Sequence, residues 1–205
     1  MKLFNICKRG IDFLISLSAL VILCPLMLII MLIIRFESPG EAIFRQERAG
    51  RSGKPFIFYK FRTMRQNVDP YGPSPKSGQD NRLTKIGRFL REYSLDELPQ
   101  LYNILKGNMS LIGPRPLYIS QIKEWNDRQK MRLLVKPGLT GLAQVNGRGV
   151  LTQEEKLELD VQYVESASFI TDLKILLATL FIVFRKKNIY EKRYSQAEYT
   201  RGKKL

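Results

Sequence analysis

The stretch FLISLSALVILCPLMLIIMLII, Phe13 to Ile34, contains no charged residue. At about 1.5 Å per residue it makes roughly 33 Å of helix, close to the hydrocarbon thickness of a bilayer. It lacks the polar face that a core helix of a soluble domain carries. A secretory signal fits poorly, because the run is too long and "RFESPG" follows it instead of a small-residue cleavage site. The reading is a membrane helix. Pro25 near its middle removes a backbone donor and crowds the Val21 carbonyl, and Cys24 before it is pushed toward extended geometry. Lys2, Lys8 and Arg9 precede the run, and Arg35, Arg45, Arg48, Arg51 and Lys54 follow it. Positive residues stay cytoplasmic, and here both flanks are positive. Two geometries remain open: a kinked span, and a re-entrant helix that bends at Cys24-Pro25, with Ser16 or Ser18 satisfying freed backbone, and leaves on the side it entered.

Downstream the chain reads as soluble α/β, mostly helical with a small β-hairpin. Ala42 to Met64 holds two aromatic and β-branched stretches around a Gly/Ser/Lys turn. Asp69 to Asn81 is dense in Pro, Gly and Ser and reads as a loop, either a connector or a lid. A short helix is expected over 84–92 with Ile86, Phe89 and Leu90 inward. An amphipathic helix follows, with Leu98, Leu101, Tyr102 and Leu105 inward and its end near Gly107. Another helix is expected over 117–134, a loop over 136–148, and a helix over 152–163 opened by a T-x-x-E box. The uncharged part of FITDLKILLATLFIVFRKK is too short to span and reads as an interfacial amphipathic helix ending at Arg185, Lys186 and Lys187. The resulting division is 1–36 membrane helix, 37–187 main domain and 188–205 polar tail.

The net charge of +15 over 205 residues calls for an anionic partner: nucleic acid, acidic lipid or a phosphorylated substrate. With no histidine and only Cys7 and Cys24, a Cys/His zinc site is impossible. Any metal must be a hard, oxygen-liganded cation such as Mg²⁺.

Against that background "YSLDELPQ", Tyr93 to Gln100, sets Asp96 beside Glu97. One reading is structural, with Ser94 and Glu97 as a capping box and Asp96 in an acid-friendly first turn. The other is chemical. A helix N-terminus favours anions, and an ionised aspartate can attack phosphorus if cations neutralise the repulsion. "GPRP" holds Arg115 between two prolines, stiffening a guanidinium suited to phosphate. Lys60 and Arg62 lie two apart, on one strand face, and Gln144 and Arg148 stand in "QVNGR". Each could equally be plain surface. Together, beside a membrane anchor, they suggest a phosphorylated substrate met at a membrane surface.

The segments "YKFRTMR", "SLDELPQLYNILKGNMSLIGPRP", "KPGLTGLAQVNGR" and "ELDVQYVESASFITDLKIL" resemble the bacterial sugar transferase family, the monotopic PglC-like polyprenol-phosphate phosphoglycosyl transferases. The chain begins at the apolar helix, so the likeness is to small members that are little more than the catalytic domain. The resemblance implies transfer of a phospho-sugar from a UDP-sugar to undecaprenyl phosphate, with UMP released, at the start of surface glycan synthesis. It implies a ping-pong reaction through a covalent adduct on Asp96, with Glu97 assisting and Mg²⁺ bound at Asp96. Arg115 and Arg148, with Lys60, Arg62 and Gln144, would meet the substrate. It also implies a re-entrant helix broken at Cys24-Pro25 and a place on the cytoplasmic face of the bacterial inner membrane, against anionic lipid. No nucleic-acid partner is expected; a homodimer is left open. The alternative is a non-catalytic, membrane-anchored basic module binding acidic lipid or nucleic acid. Cys24, Asn108 and Leu142 depart from the family's usual serine, acid and aromatic.

Overall fold

The computed structural model describes residues 2–69, 72, 74–185 and 190. Lys186, Lys187 and all of the 188–205 tail but Tyr190 lie outside them, as does part of the 69–81 loop. Helix α1, Lys2–Glu37, dominates one side and passes through Pro25 without interruption. The expected break at Cys24-Pro25 is therefore not a break in secondary structure. Cys24 and Pro25 face outward, away from the body, so the lost backbone bond falls on the outer side.

The inner side of α1 is a stripe. Lys8, Asp12, Ser16, Leu20, Leu23, Met27, Ile30 and Ile34 are buried or half-buried at a spacing of three or four, the helical repeat. Polar contacts fasten its N-terminal part. Asp12 accepts from the Leu111 amide at 3.0 Å, Arg9 donates to the Ile104 and Leu105 carbonyls, and Ser16 bonds back to the Asp12 carbonyl. Apolar contacts hold the rest. Ile30 and Ile34 pack with Ala42, Phe61 and Leu90, while Ala19, Leu20 and Leu23 pack on Phe56, Phe58, Leu101, Ile104 and Met109. Each such buried side chain contributes about 1.5–3 kcal/mol. The outer side, including Val21, Leu28, Ile29 and Leu32, is exposed. By length and composition α1 is long and apolar enough to cross a membrane.

Strands β1, Ile43–Ala49, and β2, Pro55–Phe61, form the expected antiparallel hairpin. The free edge of β2 is covered by Asn103, whose side chain accepts from the Tyr59 amide and donates to the Ile57 carbonyl. Helix α2, Lys85–Glu92, is capped by Thr84, and the Glu37 carboxylate at the end of α1 accepts from its first amides. Helix α3, Gln100–Lys106, ends at left-handed Gly107. Leu90 is buried as expected, whereas Phe89 and Tyr102 are exposed and Asn103 and Ile104 take buried positions instead.

Strand β3, Ser110–Ile112, pairs in parallel with β4, Gly138–Thr140, which lies inside the expected loop. The helix expected over 117–134 is instead three pieces: a 3-10 turn Ile119–Glu124, helix α4 Asp127–Lys130, and a second 3-10 turn Met131–Leu134. The reason is local. Trp125 adopts an extended backbone, and Asn126 starts a new helix by a reciprocal cap with Gln129. Helix α5, Leu142–Val145, is followed by α6, Gln153–Ser166, which begins with the expected Thr152–Glu155 box. Helix α7, Phe169–Arg185, exposes Ile170, Leu173, Leu177, Leu180 and Phe181. Tyr163 ties it down, donating to Asp172 at 2.8 Å; Lys8 of α1 reaches the same carboxylate.

Candidate active site

Asp96 and Glu97 lie in a single 3-10 turn, Leu95–Glu97, between α2 and α3. Ser94 before them has φ +57° and makes no capping bond. A capping residue needs an extended backbone, so the S-x-x-E box is not formed, although both acids do lie in the first turn of the 3-10 helix. Ser94 instead accepts from Arg148 Nη1 at 3.2 Å. Arg148 is itself left-handed at φ +50°. Two strained non-glycine residues thus meet beside the acids, as at sites where function requires a special conformation.

Asp96 and Glu97 are only 6% and 9% exposed and form part of the wall of a cavity of about 550 Å³. Lys60, Arg115, Gln144 and Arg148 line it as well, as do Arg48, Arg91, Arg132 and Lys156. Seven cationic side chains thus face four acidic ones across it. Such a balance suits a ligand carrying several negative charges.

Arg115 donates to Glu97 at 2.8 Å. Its loop is clamped: the Gly113 amide donates to the Thr140 carbonyl and the Gly138 amide to the Pro114 carbonyl, both at 2.9 Å. The clamp needs glycine, because a Cβ on Gly138 would lie 2.1 Å from the Gly113 nitrogen. Behind the loop, Arg132 donates to the Arg115 carbonyl at 2.5 Å and pairs with Asp160 at 2.7 Å.

Burial raises the Asp96 carboxyl, and the Glu97 charge raises it further, against the pull of Arg91, Lys60 and Arg148. Burial acts upward on Glu97 too, but Arg115 and Arg148 outweigh it and hold that carboxyl below its usual value. Asp96 is therefore the more readily protonated of the two. Lys60 is pushed down to about 8 by burial and by neighbouring Arg91.

Glu97 Oε1 is taken by Arg115, whereas no donor among the described residues bonds the Asp96 carboxylate. Among them no group of three or more Asp, Glu, His or Cys could hold a metal. Two adjacent carboxylates fit a hard cation such as Mg²⁺, which keeps waters and takes further ligands from phosphate.

Arg62 does not join the site. β2 ends at Phe61, and the Arg62 guanidinium turns to the other end of the fold, donating to the Pro39 carbonyl and, at 2.8 and 2.9 Å, to the Ser38 carbonyl and hydroxyl. Its sequence position, two after Lys60, predicted a shared face that the end of the strand removes. Conversely Arg48, Arg91, Gln153, Lys156 and Asp160 escaped the sequence reading. Only the i, i+3, i+7 spacing of the last three on α6 could have marked them.

A buried acidic pair in a cation-lined cavity defines the class: an enzyme of phosphate-group transfer, here on a body whose N-terminal helix is long and apolar enough to cross a membrane. The chain belongs to the bacterial sugar transferase family, whose model matches residues 3–186, and is a phosphoglycosyl transferase; the non-catalytic alternative is set aside. It is 43% identical over 188 residues to the uncharacterized sugar transferase EpsL of Bacillus subtilis, covering 90% of this chain and 92% of that one. It is 42% identical over 197 residues to the UDP-glucose:undecaprenyl-phosphate glucose-1-phosphate transferase of Caulobacter vibrioides, covering 89% and 72%. To the galactosyl transferase CpsE of Streptococcus agalactiae it is 43% identical over 190 residues, covering 87% of this chain but 42% of that one.

Proposed function

We propose that the protein moves a hexose 1-phosphate from a UDP-sugar to undecaprenyl phosphate, in two steps through a covalent adduct on Asp96, and so begins a surface glycan. The observation that carries this reading is the buried Asp96 carboxylate, bonded by no donor among the described residues, in a cavity that seven cationic side chains line. The relatives' names, with UDP-glucose and galactose in them, support the donor class and the lipid acceptor.

In the first step an Asp96 oxygen attacks the phosphorus that bears the sugar. The bond from that phosphorus to the bridging oxygen breaks, and the electron pair leaves on UMP. In the second, a phosphate oxygen of undecaprenyl phosphate attacks the same phosphorus and the Asp96 carboxylate departs. Arg115, Arg148 and Lys60 bind and neutralise the phosphate oxygens. Glu97, held ionised by Arg115, steadies the pair, and Asp96 attacks in its carboxylate form. Mg²⁺ held by Asp96 and Glu97 would supply further charge neutralisation.

The acceptor's placement follows from α1. Its inner stripe is fixed to the body from Lys8 to Ile34, so both ends of the helix stay with the body. A helix held to the body along its length supports, in this reading, a place at the cytoplasmic face of the inner membrane, with basic residues against anionic lipid.

The test is intact-protein mass after incubation with UDP-glucose or UDP-galactose, without polyprenol phosphate. The wild type gains one hexose phosphate; Asp96→Asn gains nothing and loses at least a thousandfold in transfer rate. Turnover by Asp96→Asn near that of the wild type would rule the nucleophile out. Activity that survives chelation of divalent metal rejects the cation.

A further inference from the structure

Among the buried polar atoms of the cavity's side chains, both amide atoms of Gln144, Nε2 of Gln153 and Oδ1 of Asp160 have no partner among the described residues. Native proteins leave few such atoms unpaired, and a binding site is one place where a ligand completes them. The three residues form one wall. Gln153 and Asp160 share a face of α6, and α5, which carries Gln144, packs on α6.

This wall differs in chemistry from the phosphate side. It offers a carboxylate acceptor, a carboxamide donor and a carboxamide that does both. Its unpartnered acceptors, Asp160 Oδ1 and Gln144 Oε1, call for donors that ionised phosphate oxygens lack. Hydroxyl groups, each able to donate and accept, are the complement. The wall is also fixed in position. Asp160 Oδ2 is held by Arg132 at 2.7 Å, Arg132 holds the Arg115 carbonyl, and Arg115 holds Glu97. It is therefore joined through two arginines to the acidic pair that would meet the reacting phosphorus; the sugar is attached to that phosphorus directly, while the nucleoside is one phosphate further away.

We propose that Gln144, Gln153 and Asp160 form the subsite that reads the hydroxyl groups of the donor's sugar and so sets which sugar is transferred. The inference rests on the cavity being the UDP-sugar site. The other source of the same chemistry is the ribose of the nucleotide.

The experiment is calorimetric binding of UDP-glucose, UDP-galactose and UMP to the full chain in detergent, in an Asp96→Asn background that prevents turnover. Gln144→Leu and Gln153→Leu should each weaken the better-bound donor about tenfold, the loss of one hydrogen bond, and leave UMP within twofold. Gln153→Met, which keeps the side-chain length, is the second variant if a leucine variant loses its unfolding transition. Equal losses for UMP and both donors overturn the sugar assignment in favour of ribose, and unchanged donor binding overturns the subsite. Residual turnover in Asp96→Asn would overturn the nucleophile and leave the subsite standing. No UDP-sugar binding by any form would overturn the cavity's role itself.

Discussion

Around Asp96 the protein crowds Lys60, Arg91, Arg115 and Arg148 into a partly enclosed space; along α1 and α7 it leaves Val21, Leu28, Ile29, Leu173, Leu177 and Phe181 open. Neither surface makes sense in water alone. The first concentrates positive charge that only an anion relieves, and the second exposes apolar area that a soluble protein hides. The two are joined by shared packing: Leu98 contacts both the cluster under Ile30 and the cluster under Leu20, one residue after Glu97. A substrate that is both lipid and phosphate unites the two surfaces. The difference teaches that the membrane helix here is part of the enzyme's core and not an appended tether.

The comparison breaks first at Arg115. Arg115→Met should lower kcat/KM for the UDP-sugar by about 10²–10³, and Arg115→Lys should recover only part, since the planar fork is lost. Initial rates against donor concentration decide it. A near-normal Arg115→Met enzyme would mean that the cations line the cavity without acting in it.

A smaller effect is expected at Lys60. Burial lowers this lysine to about 8, so its charge is present below that pH and lost above it. If the cation is needed, kcat/KM for the donor should fall about tenfold from pH 7 to pH 9. In Lys60→Arg the limb should disappear, because guanidinium stays charged. A limb that persists in Lys60→Arg assigns the titration to another group.

On the apolar side the effect is weaker still. Leu177→Ala on α7 should reduce partition into anionic vesicles about fivefold, roughly 1 kcal/mol for a partly immersed side chain. Transfer rates in detergent micelles should not change. Unaltered partition would remove α7 from the membrane surface.

Much of this was legible in the residues. The hairpin, the Thr152–Glu155 cap and the acidic pair all follow from local chemistry, because turn residues and caps act over a few positions. What escaped depends on distant partners. Asn103 is buried because it bonds the edge of β2, and Ile104 displaces Tyr102 from the inner face because α1 lies against it. Gln153 and Asp160 become site residues only when α5 and α6 pack together. The uninterrupted course of α1 through Pro25 was equally hidden, since support for the helix comes from an inner stripe bound along its length to the body.

The smallest catalytic effect, and the sharpest contrast, belongs to Arg62. It stands two residues from Lys60, yet its guanidinium binds the carbonyls that end α1. The Ile34 carbonyl also accepts from the Ser38 amide, the Ser38 carbonyl lies just past the helix, and Arg62 is 8% exposed, so water replaces it poorly. Arg62→Met should therefore lower stability by about 2 kcal/mol, the worth of charged hydrogen bonds at a buried site, while the donor KM of the folded enzyme stays within twofold. Lys60→Met should do the reverse, raising KM and sparing the unfolding midpoint. If Arg62→Met instead raises the donor KM at unchanged stability, the boundary drawn between the two surfaces is in the wrong place, and the end of α1 reaches the substrate.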